Sequence, residues 1–149
     1  MKTDSLISQI RSASREMVRQ LGFLDNRFES IGSISQCHAL VEIDKHGSMN
    51  LKQLSEILTL EKSTTSRLIM QLADRGIFLM QPDEHDRRNK IISLTKKGQS
   101  LVNKIHREAK SQVQQALHLM TDEEKNIVAA GLTIYARTLK QARIKKEKQ

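Results

Sequence analysis

A mainly α-helical fold carrying one small β-hairpin is what this 149-residue sequence predicts, and three observations predict it. Apolar residues recur at spacings of three and four over most of the chain, as one buried face of a helix requires. Glycines and capping residues punctuate those runs at short intervals. Only residues 77–94 change period, to two short apolar runs around a charged turn. A chain of this length can bury one core and carry extensions from it.

The first stripe is Leu6, Ile10, Ala13, Met17, Leu21, Leu24, Phe28 and Ile31, which predicts a long first helix in need of a partner. Ser33 to His46 forms a second helical run with Cys37, Leu40, Val41 and Ile43 inward and Gly47 as its terminator. Asn50, with Gln53 three residues on, has the form of a capping box and starts a short helix bearing Leu51, Leu54, Ile57 and Leu58. Glu61 to Gly76 is a fourth helix. Ile77–Gln81 and Lys90–Leu94 are read as a hairpin around Pro82 to Asn89, the only β signal in the sequence. A long helix follows from Thr95 to about Met120. Thr121-Asp122-Glu123-Glu124 then caps a last helix whose stripe is Val128, Leu132, Tyr135, Leu139 and Ala142.

Composition excludes several functions. No apolar run approaches the length of a membrane span and Met1 to Ile10 lacks a signal-peptide core, so a cytoplasmic protein without membrane contact is expected. The single cysteine, Cys37, excludes an intrachain disulfide; its apolar surroundings favour a buried structural thiol over an oxidant sensor. His38, His46, His85, His106 and His118 show no metal-ligand spacing, and His85 among Asp83, Glu84 and Asp86 is read as a solvated turn rather than a metal site. No phosphate loop, zinc-protease helix or nucleophile elbow occurs, so neither an enzyme nor a cofactor is expected. With three Phe, one Tyr and no Trp, a platform for stacking single-stranded bases is equally disfavoured.

The formal charge of +8 invites a nucleic-acid reading, but +5 of it lies in residues 137–149, where six basic groups face one acidic group. Arg137, Lys140, Arg143, Lys145, Lys146 and Lys148 are read as a solvated helix end. Residues 83–98 hold only +2, five basic against three acidic. The case for DNA therefore rests on arrangement.

Asn50–Leu58 and Glu61–Gly76, joined by a tight turn at Leu58-Thr59-Leu60, have the dimensions of a helix-turn-helix, with Ser55 small where the helices approach. Thr65, Leu68, Ile69 and Leu72 fall on one side of the second helix, which leaves Ser63, Arg67, Met70 and Asp74 on the other, flanked by Lys62, Thr64, Ser66 and Gln71. Hydroxyls suit phosphates and base edges, Arg67 can engage both acceptors of a guanine, and Met70 can lie against a thymine methyl. Asp86, Arg87, Arg88 and Lys90 occupy the hairpin tip, where a narrow basic ribbon can follow the backbone and place an arginine in the minor groove; Asp86 is expected either to orient Arg88 or to pair with a neighbour when DNA is absent.

On these residues the stretch from Ser33 to Gly98 resembles the multiple antibiotic resistance regulator (MarR) family of winged helix-turn-helix proteins. Asp86, Arg88, Leu94, Thr95 and Gly98 match the family's wing motif, and Pro82-Asp83 before it is similar as well. The resemblance implies that Arg88 is the minor-groove arginine and that Ser63, Thr64 and Arg67 lie on the recognition helix. It divides the chain into a DNA-binding lobe, 33–98, and helices 1–32 and 99–149 that interlock two subunits. A homodimer is also expected from the first and last stripes, too long for one domain of this size to cover. Two departures stand out: Thr59 replaces a usual turn glycine, and Met70-Gln71 replaces an Asp-Arg pair carried by many members. Arg19 to Asp25 further resembles the regulator half of MarR–acetyltransferase fusions, without implying that activity. The expected function is a double-stranded DNA-binding transcription regulator, a repressor released from a pseudo-palindromic operator by a small ligand or stress signal. A constitutive or architectural DNA binder without ligand and a helical interaction adaptor are the alternatives.

Overall fold

The computed structural model describes residues 2–24 and 31–149. Its helices are α1 (Lys2–Gln20), α2 (Ile34–His46), α3 (Leu51–Leu58), α4 (Lys62–Asp74), α5 (Lys96–Leu117) and α6 (Asp122–Glu147); its strands are β1 (Ser48–Asn50), β2 (Phe78–Pro82) and β3 (Lys90–Leu94). The chain divides into two compact units, Met1–Ile105 and His106–Gln149.

Helix α1 stops at Gln20, short of the end its apolar stripe suggests. Leu21 and Leu24 preserve the helical spacing, but the amide of Gly22 bonds back to Arg19 O at 3.0 Å and its φ of 85° leaves the right-handed region. A glycine in that conformation ends a helix whatever the side-chain pattern beyond it. Asp25 and Phe28 lie outside the described residues. Ile31, the last member of the stripe, is buried in the core of the first unit instead.

That core follows the sequence closely elsewhere. Ser33 caps α2 in a full capping box with Gln36, and Gly47 ends the helix at φ 81°. Cys37, Ala39, Leu40 and Ile43 of α2 are buried against Leu54 of α3 and Leu68, Ile69 and Leu72 of α4. Val41, Leu51 and Leu58 pack at its margin, whereas Ile57, expected inward, is exposed. Ile57 follows Glu56 on the outward edge of a helix only eight residues long, too short for a wide apolar face. From α5 the core takes Val102 and Ile105, so it extends past residue 98.

The hairpin is not the only β structure. Ser48–Asn50 pairs antiparallel with β3, Met49 opposite Ile92, and the sheet order is β1-β3-β2. A lone Met between Ser and Asn carries no strand pattern; pairing with the central β3 makes it a strand. Asn50 then serves twice, as the last residue of β1 and as the N-cap of α3. Pro82, expected in the tip, closes β2 opposite Lys90, at a strand end where its missing N–H costs little.

In the second unit, Thr121 and Glu124 form the expected capping box and α6 continues without a break through the basic segment to Glu147. Neither α1 nor α6 contains a buried residue. No helix among the described residues is long and apolar enough to cross a membrane.

Candidate nucleic-acid interface

The turn between α3 and α4 is set by Thr59, which takes the left-handed conformation at φ 56°, ψ 44°. It is the one non-glycine residue with positive φ among those described. The amide of Thr59 donates to Glu56 O at 3.3 Å and that of Leu60 to Ser55 O at 3.1 Å, closing the end of α3. Ser55 is buried where the helices meet, its hydroxyl donating to Leu51 O at 2.8 Å, so the small residue introduces no unpaired polar atom.

Helix α4 presents its two sides as the sequence divides them. Thr65, Leu68, Ile69 and Leu72 are buried, with the Thr65 hydroxyl donating to Glu61 O at 2.9 Å. Lys62, Ser63, Ser66, Arg67, Met70 and Asp74 are exposed and Thr64 is half-buried. Gln71 is exposed too, but its amide oxygen accepts a bond from Gln36 Nε2 at 3.0 Å, which ties it to the first turn of α2. The outward face therefore combines three hydroxyl residues, two cations, one thioether, the tied amide of Gln71 and, in its last turn, the carboxylate of Asp74; its first three turns can meet phosphates, base edges and a thymine methyl.

Beyond Gly76 the chain enters β2, and β2 packs against α4. The tip is a closed loop in which the Asp83 amide donates to Asn89 O at 2.9 Å and the Asn89 amide donates to Asp86 O at 3.0 Å. Its acids are largely occupied with its own shape. Asp83 Oδ1 accepts the His85 amide at 3.0 Å. Asp86 Oδ1 accepts both the amide and Nε of Arg88 at 3.1 Å, while Oδ2 lies 3.4 Å from Nη2. The Arg88 side chain is nevertheless 91% exposed, against 40% for Asp86. The guanidinium is thus presented to solvent from a fixed base, with Arg87 and Lys90 exposed beside it.

Leu94, Thr95 and Gly98 serve the fold behind the tip. Leu94 pairs with Phe78 at the root of the hairpin. Thr95 Oγ1 donates to Gly76 O at 2.6 Å, lies 3.1 Å from Ile77 O, and accepts the Gly98 amide at 3.1 Å, so it caps α5 while fastening the hairpin root. A Cβ on Gly98 would run into the Ile77 carbonyl. Among the described residues, no group of three or more His, Cys, Asp or Glu side chains is placed to hold a metal.

Comparison with known proteins agrees with this geometry. Residues 33–90 match the MarR family. An uncharacterised HTH-type transcriptional regulator of Bacillus subtilis, YfiV, is 26% identical over 111 residues, covering 74% of this chain and 69% of its own. A second from the same organism, YybA, is 26% identical over 126 residues, covering 78% and 84%. Among solved structures, FabT of Streptococcus pneumoniae in complex with DNA superposes with a TM-score of 0.71 at 26% identity, covering 94% of this chain and 96% of its own. A MarR transcriptional regulator of Methanosarcina mazei gives 0.72 at 25%, covering 90% and 96%. With a helix-turn-helix and wing whose outward residues suit a duplex, residues 33–90 are those of a MarR-type winged helix-turn-helix, similar to DNA-binding transcription regulators.

Proposed function

We propose that the chain is a homodimeric repressor that reads a pseudo-palindromic operator in double-stranded DNA and is released by a small ligand or stress signal, acting in the cytoplasm. The observation that carries the DNA reading is Arg88, almost fully exposed yet held by both oxygens of Asp86, beyond the outward face of α4. In this reading Lys62, Ser63, Thr64, Ser66, Arg67 and Met70 enter or border the major groove. Arg88 reaches the adjacent minor groove, with Arg87 and Lys90 on phosphates. FabT, a protein of the same architecture solved in complex with DNA, supports the DNA-binding reading.

Dimerisation is supported by the apolar side chains left in solvent. Leu6, Ile7, Ile10, Met17 and Val18 of α1 are exposed, and so are Ile127, Val128, Leu132, Tyr135 and Leu139 of α6. A second copy covering such stripes places two recognition helices about 34 to 36 Å apart, one turn of DNA. Release by a ligand is supported by relatives alone. A structure of Bordetella bronchiseptica BpsR concerns regulation of its DNA binding by 6-hydroxynicotinic acid, at 19% identity and a TM-score of 0.70. A Bacillus subtilis relative 28% identical over 93 residues is an organic hydroperoxide resistance regulator.

A gel shift on the DNA upstream of the protein's own gene, repeated with phenolic acids, peroxides and metal ions, tests the whole proposal. Retarded DNA released by one effector is expected. Retardation without release by any effector would replace the repressor with a constitutive DNA binder. Absence of retardation on this and on randomised duplexes would replace both with an interaction adaptor.

A further inference from the structure

Both ends of the chain that leave the core of the first unit bond to one residue at the end of α4. Arg75, the C-cap of α4, donates from Nη2 to Ile31 O at 3.0 Å and from Nη1 to Gln36 Oε1 at 3.3 Å. Ile31 and Gln36 flank the point where the chain enters α2. The Arg75 carbonyl in turn accepts Lys97 Nζ at 2.8 Å, and Lys97 lies in the first turn of α5, which continues into the second unit. Gln36 closes the circuit by donating to Gln71 on α4.

The approach of these groups is built into the backbone. Gly32 sits at φ 144°, and a Cβ there would run into the Gln36 amide and lie 3.2 Å from Arg75 Nη1. Gln36 also accepts the Ser33 amide at 3.3 Å as part of the α2 capping box, so its side chain has few alternatives. Arg75 is therefore committed to the protein on two sides, unlike Arg67 and Arg88, whose guanidinium groups are presented outward.

We infer that Arg75 is a positioning residue: it ties both chain exits to the C-terminal end of α4 and so fixes how the outward face of α4 meets the major groove, without touching DNA itself. The inference rests on reading α4 as the recognition helix. Loss of the two guanidinium hydrogen bonds lets the end of α4 shift, and specific contacts suffer more than non-specific phosphate attraction, which tolerates small misalignments.

The test uses the full chain and two duplexes, the tightest one the wild type recovers from a random pool and a scrambled duplex of the same composition. The ratio of the two affinities does not depend on the fraction of folded protein, and thermal melting reports folding separately. Arg75→Met is expected to lower the ratio about tenfold, a part of what its two charge-assisted bonds contribute, since only their effect on alignment reaches the ratio. The slope of log affinity against log salt should stay at the wild-type value, because no phosphate contact is removed. Arg75→Lys should behave like Arg75→Met, since one ammonium cannot span the Ile31 and Gln36 oxygens with the guanidinium's fork. An unchanged ratio, a salt slope reduced by about one ion, or full rescue by lysine would each overturn the inference, the last two by making Arg75 a phosphate contact. Arg67→Ala serves as the control. If it lowers the ratio while Arg75→Met does not, only the positioning role falls; if neither does, the reading of α4 falls as well.

Discussion

Asp86 and Arg88 show how a weak interaction can matter for function. A surface ion pair contributes about 0 to 1 kcal/mol to stability, and the 91% exposure of Arg88 places this one in that class. What Asp86 supplies is orientation, by limiting the rotamers of a long side chain that, in the proposed complex, is ordered on DNA. Arg88→Ala is thus expected to weaken operator binding by about 1 to 3 kcal/mol while moving thermal stability by no more than about 0.5 kcal/mol. Equilibrium binding and calorimetry on the same preparation check both halves, and unchanged affinity would remove the wing from the interface. Thr59 is the opposite case, a residue whose cost falls on the fold. A β-branched side chain in the left-handed region is strained by about 1 to 2 kcal/mol, against about 0.5 to 1 kcal/mol of backbone entropy lost by a glycine. Strain is the larger, so Thr59→Gly should raise the melting temperature by about 2 to 5 °C. A lower melting temperature would mean that the Thr59 side chain contributes more than its backbone costs. Both residues were legible in the sequence because their partners are near in the chain. The Gln36, Gln71 and Arg75 circuit was not, since its members lie 35 and 39 positions apart and nothing local distinguishes them from surface polar groups.

Between elements, the family wing motif divides into two tasks. Asp86 and Arg88 shape the tip, whereas Thr95 and Gly98 lock its root to the start of α5. Thr95 does so through the Gly76 and Ile77 carbonyls, and Gly98 by leaving room for the Ile77 carbonyl. Gly98→Ala should therefore destabilise the first unit by about 1 to 3 kcal/mol, since overpacking must push backbone rather than a flexible side chain. Chemical denaturation monitored by circular dichroism measures it. A neutral or stabilising result, as expected for Gly→Ala at an open helix position, would show that the hairpin root yields freely. At this scale the sequence was most readable where a single element carries its own signal. The capping residues read at Asn50 and Thr121 act on amides three positions away and both boxes form, while Ser33, read only as a helix start, forms a third. Two features depended on something else. Ser48–Asn50 becomes a strand only because β3 offers an open edge, and α1 ends at Gln20, ahead of the turn at Gly22, although Leu21 and Leu24 continue its stripe. Spacing alone cannot tell a continued helix from a turn that happens to keep the period.

For the whole molecule, the apolar faces of α1 and α6 outweigh its net charge as a clue to assembly. The first unit has a buried core of its own, so these faces are not needed to complete it. Each large apolar side chain moved from water to an interface contributes about 1.5 to 3 kcal/mol, and the α6 stripe alone offers Val128, Leu132, Tyr135 and Leu139. Their legibility was only partial: periodicity identified the stripe, but spacing along one chain carries no information on what covers it. The charge carries less information. The basic end of α6 continues as exposed helix. Leu132→Asp places a charge in the middle of the stripe, where burial without a partner costs several kcal/mol, and is expected to convert the proposed dimer to monomer. Sedimentation velocity measures the mass, and circular dichroism verifies that the core of the first unit survives. Operator affinity should fall far more than affinity for a single half-site, because linkage of two reading heads is lost while each head is intact. If the variant remained dimeric, α6 would lie outside the interface. If it became monomeric with undiminished operator affinity, the two-headed reading of a pseudo-palindrome would have to be given up.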